Sequence, residues 1–274
     1  VYRDPVHDFG FYRYDPQSLK YMKPQALRLN PAGAQIGREI RVVGNDGGEQ
    51  LSILSGTIAR LRREAPDYGR GKYNDFNTFY FQAASGTSGG SSGSPVIDIQ
   101  GHVVALNAGA SSETASSFFL PLDRVQHVLE LLRAGQPVAR GTLGAIFSYT
   151  AFDQLRRLGL RETSEAAVRQ RFPDGIGMLV VSEVLPGGPA AGALQVGDVL
   201  VQVNGDYISE FVPLAAVLDA RVGQPVDLLV ERGGQVISLS LCVQDLHRCN
   251  PGEDLQCGAA VVNNLPCQHA RHVS

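Results

Sequence analysis

Gly90-Ser91-Ser92-Gly93-Ser94-Pro95 lies between two short strand-like runs, Thr78-Phe79-Tyr80-Phe81-Gln82 before it and Val96-Ile97-Asp98-Ile99 after it. The wider stretch 85–95, SGTSGGSSGSP, has the Gly/Ser composition of a flexible linker. A linker between domains does not sit inside a strand–loop–strand unit, so the stretch reads as a shaped loop. Gln100-Gly101 then turns the chain into His102-Val103-Val104-Ala105-Leu106-Asn107, a further strand.

Glycines flanking a serine let backbone N–H groups turn inward. A serine hydroxyl is a poor nucleophile near neutral pH and needs a base, and the oxyanion formed by its attack needs prearranged donors. In this loop Ser92 would be the nucleophile, with the N–H groups of Gly90 and Ser92 as donors. On spacing alone a Gly/Ser-rich loop is a weak signal of catalysis.

Working outward, residues 1–135 read as mostly β. Val6 to Tyr14 alternates loosely and ends at Asp15-Pro16. Glu39-Ile40-Arg41-Val42-Val43-Gly44 is a strand stopped by the turn Asn45-Asp46-Gly47-Gly48. Residues 51–60, LSILSGTIAR, form another strand, whose Gly56 suggests a bulge. Residues 62–77 are polar and read as a surface loop. Residues 121–133, PLDRVQHVLELLR, carry Val125, Val128, Leu129 and Leu132 at helical spacing, and Ala134-Gly135-Gln136-Pro137 stops that helix.

From residue 138 the pattern becomes a compact mixed unit. Strands are expected at 141–147, 178–184 and 199–203, helices at 152–158, 163–171 and 211–220, and a hairpin over 225–243 around Arg232-Gly233-Gly234. Asn204-Gly205 is a strong tight-turn signal. Residues 246–274 look like the opening of a further unit.

Composition narrows the function class. The 274 residues are 43% hydrophobic and 19% charged, the balance of a globular protein of about two domains. A net charge of −3 gives no electrostatic reason to expect nucleic acid or an anionic membrane as partner. No apolar run approaches the ~20 residues that span a bilayer. The opening Val1-Tyr2-Arg3-Asp4-Pro5-Val6-His7-Asp8 has neither an initiator Met nor a signal-peptide pattern and reads as the middle of a longer protein. Cys242, Cys249, Cys257 and Cys267 cluster at the end, with His247, His269 and His272 among them. No two cysteines have the two-to-four-residue spacing usual in zinc modules, so the tail reads as free thiols and no metal is expected.

The segments around the loop resemble the HtrA/Deg-type serine proteases. Gly-x-Ser-Gly-x-Pro followed by Gly101-His102-Val103-Val104-Ala105-Leu106-Asn107 looks like that family's nucleophile loop. Val43-Gly44-Asn45 with 52–58 (SILSGTI), and Phe81-Gln82-Ala83-Ala84, are similar to the family's strands ahead of it. Asp8-Phe9-Gly10-Phe11 resembles the element whose aspartate orients the catalytic histidine. Pro5-Val6-His7-Asp8-Phe9-Gly10-Phe11 and Arg41-Val42-Val43-Gly44-Asn45-Asp46 are worded as in the large plant and fungal Deg-type proteases.

The resemblance implies a mainly β fold: a trypsin-like double β-barrel with its first barrel incomplete (1–135), then an α+β PDZ domain (138–245). It implies a serine endopeptidase acting on unfolded or damaged proteins, with no cofactor, assembled as a homo-oligomer. Ser92 and Asp8 would be catalytic, Gly90 and Ser92 would form the oxyanion hole, and Asn107-Ala108-Gly109 would pair with substrate backbone. Ser85 to Ser88 would wall the pocket for the side chain ahead of the cut, while Asp75 and Asp98 read as loop and turn acids.

In the second unit Thr142-Leu143-Gly144-Ala145 is similar to the carboxylate-binding loop of PDZ modules, which capture peptide C-termini by adding them to a strand edge. Gly197-Asp198-Val199-Leu200-Val201-Gln202-Val203-Asn204-Gly205 matches the more specific signature of the module. An intracellular site is implied, plastid by the plant branch or nucleus by the fungal one. The family's base is a histidine in a strand tens of residues before Asp8, and only seven residues precede Asp8 here. His7, its strand neighbour, faces the other way. The chain alone is therefore expected to lack activity, and the alternative from another class is a non-catalytic peptide-binding scaffold.

Overall fold

The computed structural model describes residues 1–65, 75–111 and 116–249, and the backbone of two later strands, 254–257 and 260–263. The chain divides into two compact units, Val1–Pro66 with Thr78–Val138 and Asp67–Asn77 with Ala139–Ser274. Residues 75–77, read from sequence as part of the first unit's surface loop, thus belong with the second.

The first unit opens on a two-stranded antiparallel ribbon, β1 (Tyr2–Arg3) and β2 (Gly10–Phe11). The single strand expected over 6–14 does not form. Asp4 is buried, and its carboxylate accepts the N–H groups of Val6 and His7 at 3.1 and 2.8 Å, which bends the chain back on itself.

Six strands then close a barrel. These are β3 (Glu39–Gly44), β4 (Ser52–Arg63), β5 (Tyr80–Ala84), β6 (Pro95–Asp98), β7 (Val103–Ser111) and β8 (Ser116–Pro121), in the order β3-β4-β5-β8-β7-β6. Ile40, Val42, Ile58, Phe81, Val96, Val104 and Phe119 fill its interior. The register of β4 against β5 shifts between Ile58 and Arg60 and again between Arg60 and Arg63, rather than at Gly56, which pairs regularly with Ile40. Residue 56 is small because a Cβ there would stand 2.9 Å from the Cβ of Ser85.

Strand β8 has no counterpart in the sequence reading. All of its residues are buried, so SSFFLP shows no polar alternation. Phe119 points into the barrel, while Phe118 and Leu120 pack with Leu122 and Val125 of helix α1 (Leu122–Arg133). Loss of such a fully buried ring costs about 3–5 kcal/mol.

The second unit begins with β9 (Gly141–Thr142) and, after a break at Leu143-Gly144, β10 (Ala145–Ala151). The continuous strand expected over 141–147 is therefore two. Helices α2 (Phe152–Leu158) and α3 (Glu162–Arg171) follow, then β11 (Gly177–Val184), β12 (Val199–Val203), β13 (Asp206–Tyr207), α4 (Phe211–Asp219), β14 (Pro225–Arg232) and β15 (Gln235–Cys242).

The sheet order is β10-β11-β12-β14-β15, with β13 on β12, so β10 is an edge strand. Asn204 and Gly205 take φ of 52° and 86°, making the tight reversal between β12 and β13. Asp198 is wholly buried at the start of β12 and holds a two-pronged bond from Arg232, 2.7 Å on each side. Farther on, β16 (Gln244–Asp245) pairs with β9, and β17 (Asp254–Cys257) pairs with β18 (Ala260–Asn263). Cys242 is a free, exposed thiol. Cys267, His269 and His272 lie outside the described residues.

Candidate active site

The loop 85–94 joins β5 to β6 and lies against the turn after β3. Gly90 takes φ +104°, and a Cβ there would fall 2.4 Å from the Asn45 carbonyl and 2.5 Å from the Gly48 nitrogen. Only glycine permits that backbone and that approach. Three hydrogen bonds join loop and turn. Asp46 Oδ1 accepts the Ser91 hydroxyl at 2.6 Å and the Ser88 N–H at 3.0 Å, while Gly47 N–H donates to Ser88 Oγ at 2.9 Å. The Ser88 N–H, and after it the Ser91 hydroxyl, hold the Asp46 carboxyl below its ordinary range.

The other side of the loop is tied to β7. Asn107 is buried, and its Nδ2 donates to the Ser91 carbonyl at 2.8 Å. Its main chain is engaged as well: Gly93 N–H donates to Asn107 O at 2.7 Å, and Asn107 N–H donates to Ser94 O at 2.9 Å. This tie has a geometric consequence. The peptide group is planar and trans, so N–H and C=O point in opposite directions. Fixing the Ser91 carbonyl toward Asn107 aims the Ser92 N–H the other way, away from the loop's own supports. Among the described residues, the N–H groups of Gly90 and Ser92 donate to no protein acceptor.

Ser91 is 1% exposed with its hydroxyl spent on Asp46, whereas Ser92 is exposed. The Ser92 Oγ lies 3.5 Å from the Ala108 carbonyl. Ala108 is the bulged residue of β7, because the β7–β8 ladder skips from Asn107–Phe119 to Gly109–Phe118. Its carbonyl is thus free to stand beside the serine. Thr87 is buried against the Ser117 hydroxyl at 2.8 Å, and Ser85 is buried too.

Asp8 is exposed, between buried His7 and half-buried Phe9; all three lie in the bend between β1 and β2 rather than in the strand expected there. No described contact joins Asp8 to Ser92. Asp98 caps its own turn, accepting the Gln100 and His102 N–H groups at 3.0 and 2.9 Å. Asp75 is buried. Asp46, which holds this loop, was not singled out from the sequence. The signal was present in Asn45-Asp46-Gly47-Gly48, but a turn aspartate is too common to single out.

In the second unit, Gly144 takes φ +68°, and a Cβ would press on Gly188 Cα at 3.0 Å. Gly144 N–H donates to Thr142 Oγ1 at 3.0 Å, Ala190 N–H to Leu143 O and Leu185 N–H to Gly144 O, both at 2.8 Å. At the outer edge of β10, the side chain of Asn77 donates to Ala145 O at 2.9 Å and accepts the Phe147 N–H at 2.7 Å.

A trypsin-like peptidase domain model matches residues 1–106, and a PDZ domain model matches residues 180–232. The chain is of the HtrA type, a trypsin-like peptidase unit followed by a PDZ domain. Protease Do-like 7 of Arabidopsis thaliana is 54% identical over 283 residues, spanning 99% of this chain and 26% of that protein. Pro-apoptotic serine protease NMA111 of Eremothecium gossypii is 50% identical over 272 residues, spanning 99% of this chain and 28% of that protein. The HtrA-type chain thus spans about a quarter of the length of these curated relatives. Among solved structures, the HtrA-type protease AlgW with tripeptide superposes with a TM-score of 0.56 at 24% identity, covering 82% of this chain and 71% of that one. That likeness concerns the fold.

Proposed function

We propose that this chain carries the nucleophile half of a serine endopeptidase, and that Ser92 forms the acyl-enzyme. The reading rests on one observation above all. Exposed Ser92 Oγ stands beside the Ala108 carbonyl, with two uncommitted N–H groups, of Gly90 and Ser92, in the same loop. In the proposed reaction Ser92 Oγ attacks the scissile carbonyl and gives its proton to a histidine. The carbonyl oxygen, now negative, takes hydrogen bonds from the Gly90 and Ser92 N–H groups. Asp8 orients that histidine. Ala108 and Gly109 hold the substrate backbone, while Asn107, buried and engaged on both sides, fixes the Ser91–Ser92 peptide group.

The PDZ domain is assigned the capture of peptide C-termini along Thr142-Leu143-Gly144-Ala145 and the edge of β10. Unfolded or damaged proteins with exposed termini are the proposed substrates, cleaved by a homo-oligomer that needs no cofactor. An intracellular setting, plastid or nucleus, is supported by the plant and fungal relatives.

A fluorophosphonate probe on a longer protein that supplies the histidine tests the chemistry. Labelling abolished by Ser92→Ala supports the peptidase. No labelling with that histidine intact supports a peptide-binding scaffold instead. The 274-residue chain by itself is expected to leave casein uncut, and Ser92-dependent cleavage by it would show that the base lies within these residues.

A further inference from the structure

Strand β10 is the edge of its sheet, so one row of its backbone groups has no strand partner. Asn77 takes up two of those groups, one acceptor and one donor, Ala145 C=O and Phe147 N–H. A carboxamide carries the same donor and acceptor as a peptide group, and both distances, 2.9 and 2.7 Å, are those of good hydrogen bonds. The Phe147 N–H can only donate, which fixes the amide with its oxygen toward Phe147.

The segment that presents Asn77 is anchored. Asp75 and Phe76 are 8% and 6% exposed, and Asn77 itself sits in the left-handed region at φ +53°, where asparagine is one of the few side chains tolerated. The groups it meets are equally enclosed, with Ala145 at 2% and Phe147 at 4% exposure. Beside them the Gly144 N–H is turned onto Thr142 Oγ1.

We propose that Asn77 is an internal occupant of the peptide-accepting edge, and that a C-terminal peptide binds β10 by displacing it. This rests on the reading of the second unit as a peptide-capturing PDZ domain. An added strand must hydrogen-bond the outward groups of β10, and two of them are already engaged at its start, next to the carboxylate loop. The apparent affinity is then the intrinsic one reduced by the fraction of chains whose edge is open. The same occupancy covers an edge that would otherwise be exposed to pairing with other chains.

The test uses the 274-residue chain and fluorescent decapeptides ending in Val, Leu, Ile or Phe with a free carboxylate. Asn77→Gly removes the carboxamide while tolerating positive φ. It is expected to bind about ten-fold tighter than the native chain, the loss of two competing hydrogen bonds. Asn77→Asp keeps the acceptor for Phe147 N–H and loses the donor to Ala145, and should fall between the two. Equal affinities for all three overturn the proposal.

Amide exchange gives a second reading that needs no peptide. The Phe147 N–H should be protected in the native chain and exchange about ten-fold faster in Asn77→Gly. An unprotected native Phe147 overturns the occupancy itself. Asn77-dependent protection with no peptide bound by either chain overturns the peptide-binding reading instead, and the competition with it.

Discussion

The serine loop of the first unit and the glycine loop of the second solve the same backbone problem and end in opposite states. Each turns on a left-handed glycine, Gly90 at φ +104° and Gly144 at φ +68°. Each is pinned by polar side chains, Asp46 and Asn107 in one, Thr142 and Asn77 in the other. In the first, the pins grip the carbonyl and hydroxyl of Ser91 and leave the Gly90 and Ser92 N–H groups uncommitted. In the second, the pins take the Gly144 and Phe147 N–H groups themselves. A loop whose donors stay open is arranged for a ligand before it arrives, and a loop whose donors are engaged must exchange partners first.

The sharpest way to break this comparison is at Gly90. Gly90→Ala drives a Cβ onto the Asn45 carbonyl and should rotate the oxyanion donor out of place. In a longer protein that carries the histidine, fluorophosphonate labelling should fall by about 10²–10³, the usual worth of one such donor. Labelling at the native rate would remove Gly90 from the site.

Next comes Asn107→Ala, which releases the Ser91 carbonyl and leaves it buried without its partner. We expect about 1–3 kcal/mol of lost stability in the first unit by denaturant melts. Labelling should slow by more than the unfolded fraction explains. A stability loss with unchanged labelling per folded molecule would make Asn107 purely structural.

Asp46→Asn tests the clamp more gently, keeping its shape and removing its charge. The Asp46 carboxyl titrates below its ordinary range in the folded protein. The clamp therefore contributes fully above the unfolded carboxyl's pKa and is lost as pH falls through the lower, folded one. A pH–labelling profile should show the variant about ten-fold slower near neutrality, the loss of one to two kcal/mol of charged hydrogen bonding. The gap should close in acid.

The smallest effect is expected at Glu165, far from either loop. Arg156, then Arg169, pull its carboxyl down to about 2 against the usual 4.5. That stability is present above pH 4.5 and drains away as pH falls toward about 2. Glu165→Gln should lower the melting temperature of the second unit by a few degrees at pH 7, with the difference gone near pH 2. Peptide binding should not change, which makes it the control for Asn77.

Most elements were legible because their patterning is local. Strand Glu39–Gly44 and helix Phe152–Leu158 form with the bounds expected of them. Strand β8 was not, since a strand buried on both faces has no alternation to read. The break at Leu143-Gly144 hid inside an apolar run, because only contact with Gly188 and Pro189 demands it. The turn at 90–93 was legible from its glycines, and the hold of Asp46 on it was not, lying 45 residues from the hydroxyl it accepts.

Sequence alone thus determined which residues form the loop at 90–95. Short-range constraints do this: glycine permits the turn, and proline and the next strand end it. Only the tertiary structure decided which N–H groups remain open. That depends on side chains from distant segments, Asp46 and Asn107 at one loop and Asn77 at the other. Whether a backbone donor faces a ligand or a neighbour is a property of the fold.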